Sequence, residues 1–450
     1  MRPSLIPLTL CLLAFLSPAA YAQAQAEPFV LGADISWIQQ RENSGVRYYH
    51  EGTPQDPFII LKEHGFNYIR LRLFVDPTAT IPNEKESPYS AAGYCGLDST
   101  IKMAKRVKGA GMKFLLDFHY SDTWADPGKQ YKPMSWQNLT TVAQLTAKVR
   151  SYTKETLEVF KANNVLPDMV QVGNETVSGM IWPEGRNYNS GGKGSRADFA
   201  ALVNAGIDGV RDVNQNIKIM MHTINERNPN SWLTNLRNDG VTRIDVFGLS
   251  YYTQWHGEPD SLQRVATAFA ANNSNNNIKI AVAEYSGNHR RVNDIIFSLP
   301  NKKGFGTFVW EPADWSDGLY GATLFDWKDG TNRGRYSNEL LELYPQMAID
   351  YGNGSPTNVN DNSRQLRTDK KSRYDIQVRR NGVISYNSNE PGTVTIHTIQ
   401  GRMVGKFNVQ SSGIYDPARL LKTPLRSGAY IIAVESANGT KRVFNRGIVK

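Results

Sequence analysis

Two glutamates, Glu175 and Glu284, are the side chains in this sequence best suited to carry out chemistry together. Each follows a short apolar run, Asp168–Val172 in the first case and Ile278–Ala283 in the second. Hydrolysis of a glycosidic bond needs two carboxyl groups that flank the bond, one protonated and one ionised. A separation of about 5–5.5 Å between them implies retention of configuration through a covalent glycosyl intermediate. The pair suggests this chemistry, provided that the fold brings the two runs together.

Competing catalytic systems lack their sequence signatures. The chain contains no Gly-x-Ser-x-Gly nucleophile elbow, no phosphate-binding P-loop and no His-Glu-x-x-His zinc motif. Its two cysteines, Cys11 and Cys95, are too few for a disulfide framework or a cysteine-rich metal site. We therefore predict an enzyme that uses no metal and no cofactor.

Eight apolar, β-rich runs between residues 28 and 350 must position the candidate residues. They are Phe29–Ile35, Tyr68–Phe74, Lys113–Phe118, Asp168–Val172, Ile217–Met221, Asp245–Tyr251, Ile278–Ala283 and Phe305–Trp310. Amphipathic helical patterns separate them, which indicates parallel strands covered on both faces. Eight such units predict an α/β fold, a (β/α)8 TIM barrel. An open doubly wound sheet is the alternative, although no glycine-rich loop follows the first run.

Active sites of such barrels lie at the carboxyl ends of the strands, and polar or aromatic residues close every run. Any one of them has an ordinary structural explanation, such as a helix cap, but a complete ring favours an active site. We expect Arg70, if it points to the barrel mouth, to favour the ionised form of Glu284, and Glu175 to keep its proton. The ring consists of Asp34, Trp37, Arg70, Arg72, Asp117, His119, Asn174, Glu175, His222, Tyr252, Glu284, Trp310 and Glu311.

Several segments carry a more specific signal, and they occur in order along the chain. They are Leu-Gly-Ala-Asp-Ile-Ser at 31–36, the run at 67–77, Leu-Asp-Phe-His-Tyr-Ser-Asp-Thr-Trp-Ala-Asp-Pro-Gly-Lys-Gln at 116–130, Val-Gly-Asn-Glu at 172–175 with Met-Ile-Trp-Pro-Glu-Gly at 180–185, Ser-Tyr-Tyr-Thr-Gln-Trp-His-Gly at 250–257, and Val-Ala-Glu-Tyr at 282–285 with Val-Trp-Glu-Pro at 309–312. Together they resemble glycoside hydrolase family 53, the endo-β-1,4-galactanases of the large clan with catalytic glutamates on strands four and seven. The segment at 116–130 is the most specific of the set.

The resemblance implies roles for individual residues. Glu175 would be the general acid/base and Glu284 the nucleophile, oriented by Arg70 and Tyr252. Asn174 would bind the sugar 2-hydroxyl. The remaining substrate-binding residues implied are Asp34, His119 and His222 around the −1 sugar, Trp310 as its platform, and Trp124, Trp182 and Trp255 as stacking faces for neighbouring galactose rings. For Trp232, within a helical pattern, we predict core packing instead.

Two segments depart from the family pattern. Some bacterial members carry a calcium-binding loop after strand seven, but residues 286–293 here include two arginines, and a single aspartate follows at position 294. Calcium requires several oxygen ligands, so we predict no calcium site at this position. The segment at 313–320 is short, which leaves the outer subsites open.

The two ends of the chain differ in composition and pattern from the eight-strand part. Residues 1–24 have the basic start, the apolar stretch and the small-x-small sites of a signal peptide, so we predict a secreted, bacterial protein without an integral membrane span. The catalytic domain is predicted at 27–350 and a Gly/Asn/Ser linker at 351–372. Alternating short runs in 373–450 predict a small all-β domain. Gly-Arg-Met-Val at 401–404, Leu-Arg-Ser-Gly-Ala-Tyr at 425–430 and Arg-Gly-Ile-Val-Lys at 446–450 loosely resemble the sorting domains of the type IX secretion route. This resemblance implies a partner in the export machinery or at the cell surface. A carbohydrate-binding module and a plain basic β-sandwich are the alternatives.

The chain has a formal net charge of +9, and the excess of positive charge lies in its C-terminal part. Residues 361–450 hold 16 basic and 6 acidic side chains, whereas the rest of the chain is nearly neutral and holds all nine tryptophans. Because the charge lies outside the catalytic domain and no matching motif occurs, nucleic acid is excluded as a partner. The resemblance to glycoside hydrolase family 53 implies a retaining endo-glycosidase acting on β-1,4-galactan, as in type I arabinogalactan. A clan relative acting on another β-1,4-glycan and a non-catalytic glycan-capture protein remain the alternatives.

Overall fold

The computed structural model of the protein describes residues 27–226, 228–314, 323–327 and 334–354, followed by shorter segments up to residue 448. The predicted signal peptide at 1–24 and most of the predicted linker at 351–372 lie outside the described residues. The chain divides into two compact units between residues 359 and 360. Each unit is described by itself.

The first unit is built on a closed barrel of eight parallel strands, which confirms the predicted TIM barrel. Successive strands pair with each other, and the first strand pairs with both the second and the last. The strands are β1 (Val30–Asp34), β2 (Tyr68–Leu73), β3 (Lys113–Phe118), β4 (Met169–Val172), β5 (Lys218–Ile224), β6 (Val246–Tyr252), β7 (Lys279–Ser286) and β8 (Gly304–Trp310).

Amphipathic helices surround the barrel and bury their apolar faces against it. Their sequence signals are typical: Thr141 and Gln144, for example, form a capping box at the start of the longest helix. Trp232 packs against the core, as predicted, and its ring stacks on Phe247. The helices are Ile38–Asn43, Pro57–Glu63, Leu97–Gly109, Val142–Ala162, Arg196–Val213, Pro229–Asn238, Thr253–His256, Pro259–Asn272, His289–Phe297 and Tyr344–Asp350, with 3-10 turns at Met134–Trp136, Thr176–Ser178, Pro300–Lys302 and Leu341–Leu343.

The barrel interior changes from apolar to polar along the strands. Near the amino-terminal ends, the inward side chains form one apolar cluster: Val30, Tyr68, Leu115, Met169, Met220, Val246, Ala281, Ala283, Phe305 and Phe308. Alternate residues of a strand face the same side. Two residues further along four of these strands, the same face therefore carries Arg70, Asp117, Gln171 and His222, all of them buried.

Glycines allow β1 and β8 to approach closely where the barrel closes. A Cβ atom at Gly32 would lie 2.4 Å from the Phe308 ring, and one at Gly306 would lie 2.3 Å from the Val30 carbonyl oxygen. The φ of Gly306, 149°, is also one that side chains rarely allow. Closure of the barrel therefore depends on these two positions having no side chain.

A small accessory sheet, which the sequence patterns did not predict, lies beside the barrel in the first unit. Its strands follow the order Phe325–Trp327, Gly334–Ser337, Arg47–His50 and Thr53–Pro54. It joins a segment that follows β1 to one that follows β8. The strands are short and carry mixed polar residues, so they have little of the alternation by which strands are recognised.

The second unit is rich in β-structure, as predicted. Its described strands form a three-stranded sheet and a four-stranded sheet. Its buried apolar core contains Ile384, Val394, Ile396, Val409, Ile432 and Val434. The strands are Asp375–Val378, Ile384–Asn387, Gly392–Thr398, Met403–Val409, Ser412–Tyr415, Gly428–Ser436 and Lys441–Ile448, with one short helix at Pro417–Leu420. Within the described parts of both units, no helix is long and apolar enough to span a bilayer.

Candidate active site

Arg70 on β2 is the centre of the polar network at the barrel mouth. Its guanidinium donates to Asp34 Oδ2 and Asp117 Oδ2, at 2.8 Å in each case, and lies 2.9 Å from Glu284 Oε1. It also donates to Asn174 Oδ1 at 2.8 Å. The charge of a fully buried arginine is tolerated only when it is paired, and here three carboxylates surround it. Arg70 thus holds four side chains in place, one each from β1, β3, the end of β4 and β7.

A β-bulge in β7 turns Glu284 toward the barrel mouth. Ala281 and Ala283 belong to the interior cluster, so simple alternation would direct Glu284 outward. The pairing with β6 shifts at this point, because Leu249 pairs with Val282 whereas Ser250 pairs with Glu284. The pairing with β8 shifts as well. One extra residue is thereby inserted into β7, and bulges of this kind redirect side chains next to active sites.

Two neighbours favour the ionised form of Glu284. Arg70 forms the ion pair described above, and the Tyr252 hydroxyl donates to Glu284 Oε2 at 2.9 Å. Burial nevertheless raises the pKa of Glu284, and Arg70 and Tyr252 oppose that effect. The structure therefore brings together the three residues that the family resemblance assigned to nucleophile and orienting groups.

Glu175 lies directly after β4 in an environment that favours its protonated form. Burial raises its pKa well above the usual range, and the charge of Glu284 raises it further. A hydrogen bond from Ser250 acts in the opposite direction. Because Arg70 and Tyr252 stabilise the ionised form of Glu284, the pair holds its shared proton on Glu175.

The backbone of Glu175 is held in an unusual conformation. Its φ of 44° and ψ of 49° are left-handed, which costs free energy for a residue with a side chain. The Glu175 N–H donates to His222 Nδ1 at 3.3 Å, so Nδ1 of that imidazole is an acceptor. The ring proton then lies on Nε2, 2.9 Å from the Ser250 hydroxyl oxygen, which accepts it. Burial, together with the charge of Arg70, lowers the pKa of His222 well below its usual value, so the ring is neutral.

Two polar residues that sequence reasoning missed complete the network. Gln171 on β4 accepts from Arg70 Nε at 3.2 Å and donates to Asp117 Oδ1 at 2.5 Å. Ser250 on β6 lies between His222 and Glu175. Both residues lie within apolar runs, so each resembles a single polar residue that a buried strand tolerates. Each of them lies an even number of residues from another inward-facing residue of its own strand. This spacing is the signal that could have identified them.

The predicted substrate-binding residues Asp34, His119 and His222 are buried beneath the mouth. Asp34 bonds to Arg70 and Arg72. His119 Nδ1 accepts from the Ala125 N–H at 3.1 Å, and Nε2 lies 3.1 Å from Asp117 Oδ2. The predicted sugar-binding group Asn174 likewise bonds to Arg70 and, through Nδ2, to the Ala125 carbonyl. Their contact with a sugar stays a prediction.

Aromatic rings form part of the rim of the mouth. Trp37 packs edge-on against Trp310, with ring centroids 5.1 Å apart, and against Trp124 at 6.1 Å. The Arg72 guanidinium lies 4.7 Å from the Trp124 ring centroid and is paired with Glu311. All three tryptophans are partly exposed, as a stacking surface for sugars requires.

Two further tryptophans of the predicted set lie on loops and short helices. Trp182 stacks with the Arg186 guanidinium at 4.6 Å and donates to the Ser178 carbonyl. Trp255 is 54% exposed and packs edge-on against Tyr252, the residue that holds Glu284. Trp255 is therefore well exposed to solvent at the mouth side of its short helix.

A parallel barrel that brings two glutamates to its mouth, one of them paired with a buried arginine, has the arrangement of a glycoside hydrolase. The model of glycosyl hydrolase family 53 matches residues 30–294. The chain belongs to this family.

Characterised relatives extend the likeness over most of the first unit. An arabinogalactan endo-β-1,4-galactanase of Cellvibrio japonicus is 35% identical over 259 residues, which are 57% of this chain and 65% of that protein. An endo-β-1,4-galactanase of Bacillus subtilis is 33% identical over 321 residues, covering 63% of this chain and 70% of that protein. The solved GH53 catalytic domain of Ignisphaera aggregans superposes with a TM-score of 0.61 at 30% identity, over 70% of this chain and 95% of that domain.

Proposed function

We propose that the protein is a secreted endo-β-1,4-galactanase that hydrolyses type I arabinogalactan with retention of configuration. The observation that carries the mechanism is the asymmetry of the two glutamates. Glu284 is held by Arg70 and Tyr252, which favour a carboxylate, whereas burial and the charge of Glu284 keep Glu175 protonated. The substrate is inferred from the activities of the two named relatives.

In the first step, the Glu284 carboxylate forms a bond to the anomeric carbon while the glycosidic bond breaks. Glu175 gives its proton to the departing sugar oxygen, which leaves a glycosyl ester on Glu284. In the second step, Glu175 takes a proton from water, and the resulting hydroxide displaces Glu284 from the sugar. Both glutamates return to their starting states, and the product has the β configuration of the substrate.

The two carboxyl roles are tested by substitution and chemical rescue. Glu284→Ala should abolish turnover, and azide should restore it by forming a glycosyl azide of inverted configuration. Glu175→Ala should slow the polymer far more than aryl glycosides with good leaving groups, which need little acid assistance. The exposed Glu339→Ala is the matched control and should retain full activity. An unchanged polymer rate in either site variant, or a first product with α configuration by NMR, would overturn the assignment.

The substrate is tested with a panel of purified polysaccharides. Galactose carries an axial 4-hydroxyl that bends the chain and needs its own hydrogen-bond partners, so a site built for it rejects the epimer. We expect reducing ends to appear much faster from β-1,4-galactan than from xylan, mannan or cellulose. Equal rates on cellulose and galactan would favour the alternative of a different β-1,4-glycan. Binding of galactan without cleavage would favour a glycan-capture protein.

We further propose that residues 373–450 serve delivery, as a sorting domain of the type IX route. The compositional break near residue 360 and the excess of positive charge support a separate role for this part of the chain. A direct attraction of this charge to acidic pectin or an anionic cell surface is the competing proposal, and it would weaken with salt. A chain without residues 355–450 should fail to reach its place in the native host. Normal export with loss of binding to acidic polymer at low salt would instead favour the charge tether.

A further inference from the structure

A second cluster of chemically active side chains lies away from the two glutamates, where the accessory sheet meets the rest of its unit. His50 ends the accessory strand Arg47–His50, His64 follows the helix Pro57–Glu63, and Glu342 lies in the turn Leu341–Leu343. One ring nitrogen of each histidine and one carboxylate oxygen of Glu342 all lie within 4.8 Å of one another. Nothing in the proposed hydrolysis uses these residues.

The hydrogen bond of His64 fixes the direction of its free nitrogen. His64 is buried, and its Nδ1 lies 2.6 Å from the Ile60 carbonyl oxygen. A carbonyl only accepts, so Nδ1 carries a proton. Nε2 then faces Glu342 Oε1 at 3.3 Å. The lone pair of a neutral ring would face the carboxylate here, an arrangement that becomes favourable when a cation lies between the two atoms.

Three features favour a metal ion over a proton. An ion pair between His64 and Glu342 has no need of a third ligand, yet a nitrogen of His50 converges on the same point. A histidine whose second nitrogen donates to a backbone carbonyl is the usual arrangement of a metal ligand. Ligands at about 2.0–2.2 Å from a tetrahedral zinc ion lie roughly 3.3–3.6 Å apart, which the distance between His64 and Glu342 already matches.

The surroundings of Glu342 allow its side chain to move and complete a set of three ligands. Glu342 keeps 55% of its side chain exposed, so it can adjust by rotation. The two imidazole rings are edge-on, with centroids 4.7 Å apart, and His50 Nδ1 is itself 3.0 Å from Ser337 Oγ. The exposed side of the cluster leaves a position for water.

We propose that His50, His64 and Glu342 bind one divalent transition-metal ion, with zinc as the ion that two imidazoles and a carboxylate suit best. The ion cross-links the accessory sheet, the end of an early helix and a turn that follows β8. Its role is structural, because it ties together parts of the chain that lie on both sides of the barrel strands in sequence. This inference does not depend on the proposed substrate or on the catalytic roles.

The test uses the untagged protein, stripped with chelator and titrated with zinc chloride. We expect one zinc ion per chain by equilibrium dialysis and metal analysis, and a rise of several degrees in the unfolding temperature. Cobalt in place of zinc should give the visible absorption of a tetrahedral ion. The hydrolysis rate at 25 °C should be the same with and without zinc, which separates this site from the two glutamates.

Substitutions locate the ion. His50→Gln and Glu342→Gln should each abolish the zinc-dependent rise, whereas the exposed neighbour Glu339→Gln should keep it. His64 is not substituted, because its burial and its bond to Ile60 make a folding defect hard to separate from metal loss. The proposal is overturned if zinc causes no rise, or if Glu342→Gln and Glu339→Gln respond alike. Either result would leave a protonated His64 paired with Glu342.

Discussion

Ser250 is the residue through which a neutral histidine and the acid glutamate are connected. It accepts the proton of His222 Nε2 and is then oriented to donate its own hydrogen to Glu175. That hydrogen bond favours the ionised form of Glu175 and so lowers its pKa. In the proposed first step Glu175 is the acid, so we expect the rate to fall as the pH rises through its pKa.

Ser250→Ala should therefore shift the alkaline limb of the kcat/KM profile to higher pH, because the ionised form of Glu175 loses a donor. The rate on polymer should also fall, by about tenfold, since the acid is no longer held in place. The pH profile on galactan measures both effects. Ser261→Ala, which removes a hydroxyl bonded to the His256 carbonyl, is the control and should leave the profile unchanged. A limb that stays in place, or moves to lower pH, would contradict the hydrogen-bond network.

A second prediction at the scale of single residues concerns Asp117. Burial alone would raise its pKa, but the charge of Arg70, together with the hydrogen bond from His119, outweighs burial and lowers the pKa to about 2. A carboxyl group with a depressed pKa in the folded state stabilises the fold above its unfolded pKa, and this contribution disappears as the pH falls through the folded value. The lost contribution corresponds to about 2 kcal/mol.

Asp117→Asn should accordingly reduce the free energy of unfolding by about 2 kcal/mol at neutral pH. The difference from the unsubstituted protein should shrink as the pH falls from about 4 to about 2, where Asp117 itself becomes protonated. Denaturant titrations over this range provide the measurement. Asp260→Asn, at an aspartate whose side chain is 80% exposed, should show no such dependence. A constant difference at all pH values would exclude this account.

At the scale of elements, the strands were predictable and their irregularities were not. The runs around Tyr68–Phe74 and Phe305–Trp310 are near-continuous in apolar residues because both faces of a barrel strand are buried. The bulge in β7 has no such signal, yet it alone directs Glu284 inward next to Ala283. The left-handed backbone of Glu175 is equally invisible, because it is imposed by neighbours distant in sequence, such as His222.

The short helix Thr253–His256 presents an aromatic face whose use can be tested. Trp255 is more than half exposed and contacts Tyr252 edge-on. Stacking on such a face contributes about 0.5–1.5 kcal/mol, so Trp255→Ala should raise KM for galactan roughly three- to tenfold. Trp255→Phe should recover most of the affinity, and short aryl substrates should be unaffected by either change. Equal KM values for Trp255→Ala and the unsubstituted enzyme would show that no sugar stacks there.

At the scale of the whole molecule, the first unit should function without the second. Its last described contacts belong to Tyr351, which packs on Phe29 and Phe297, and to Asn353, which donates to the Phe29 carbonyl. A chain that ends after Gly354 keeps these contacts and the tyrosine pair between Tyr285 and Tyr344. The two-unit division therefore predicts that catalysis does not require residues 355–450.

This shortened chain should hydrolyse soluble galactan within about twofold of the full-length rate, since it keeps every side chain described at the barrel mouth. A chain that ends at Leu343 is the control. It lacks Tyr344 and the helix Tyr344–Asp350, so it should lose stability, as followed by thermal unfolding. Loss of activity in the chain ending after Gly354, with its unfolding temperature intact, would show that the second unit takes part in catalysis.

The close seam between β1 and β8 also determines the order in which the protein acquires its structure. Gly32 lies opposite Phe308, and the rest of the barrel is encoded between them. At a synthesis rate of about 5–20 residues per second, β8 leaves the ribosome on the order of 15–55 s after β1. Throughout that time, β2 is the only barrel strand with which β1 can pair. The edge of β1 that pairs with β8 in the folded barrel stays unpaired. The same pairing joins residues far apart in sequence, and such contacts form slowly in a refolding chain as well. Pulse-labelling hydrogen exchange during refolding should therefore find the amides of β1 that bond to β8 among the last to gain protection.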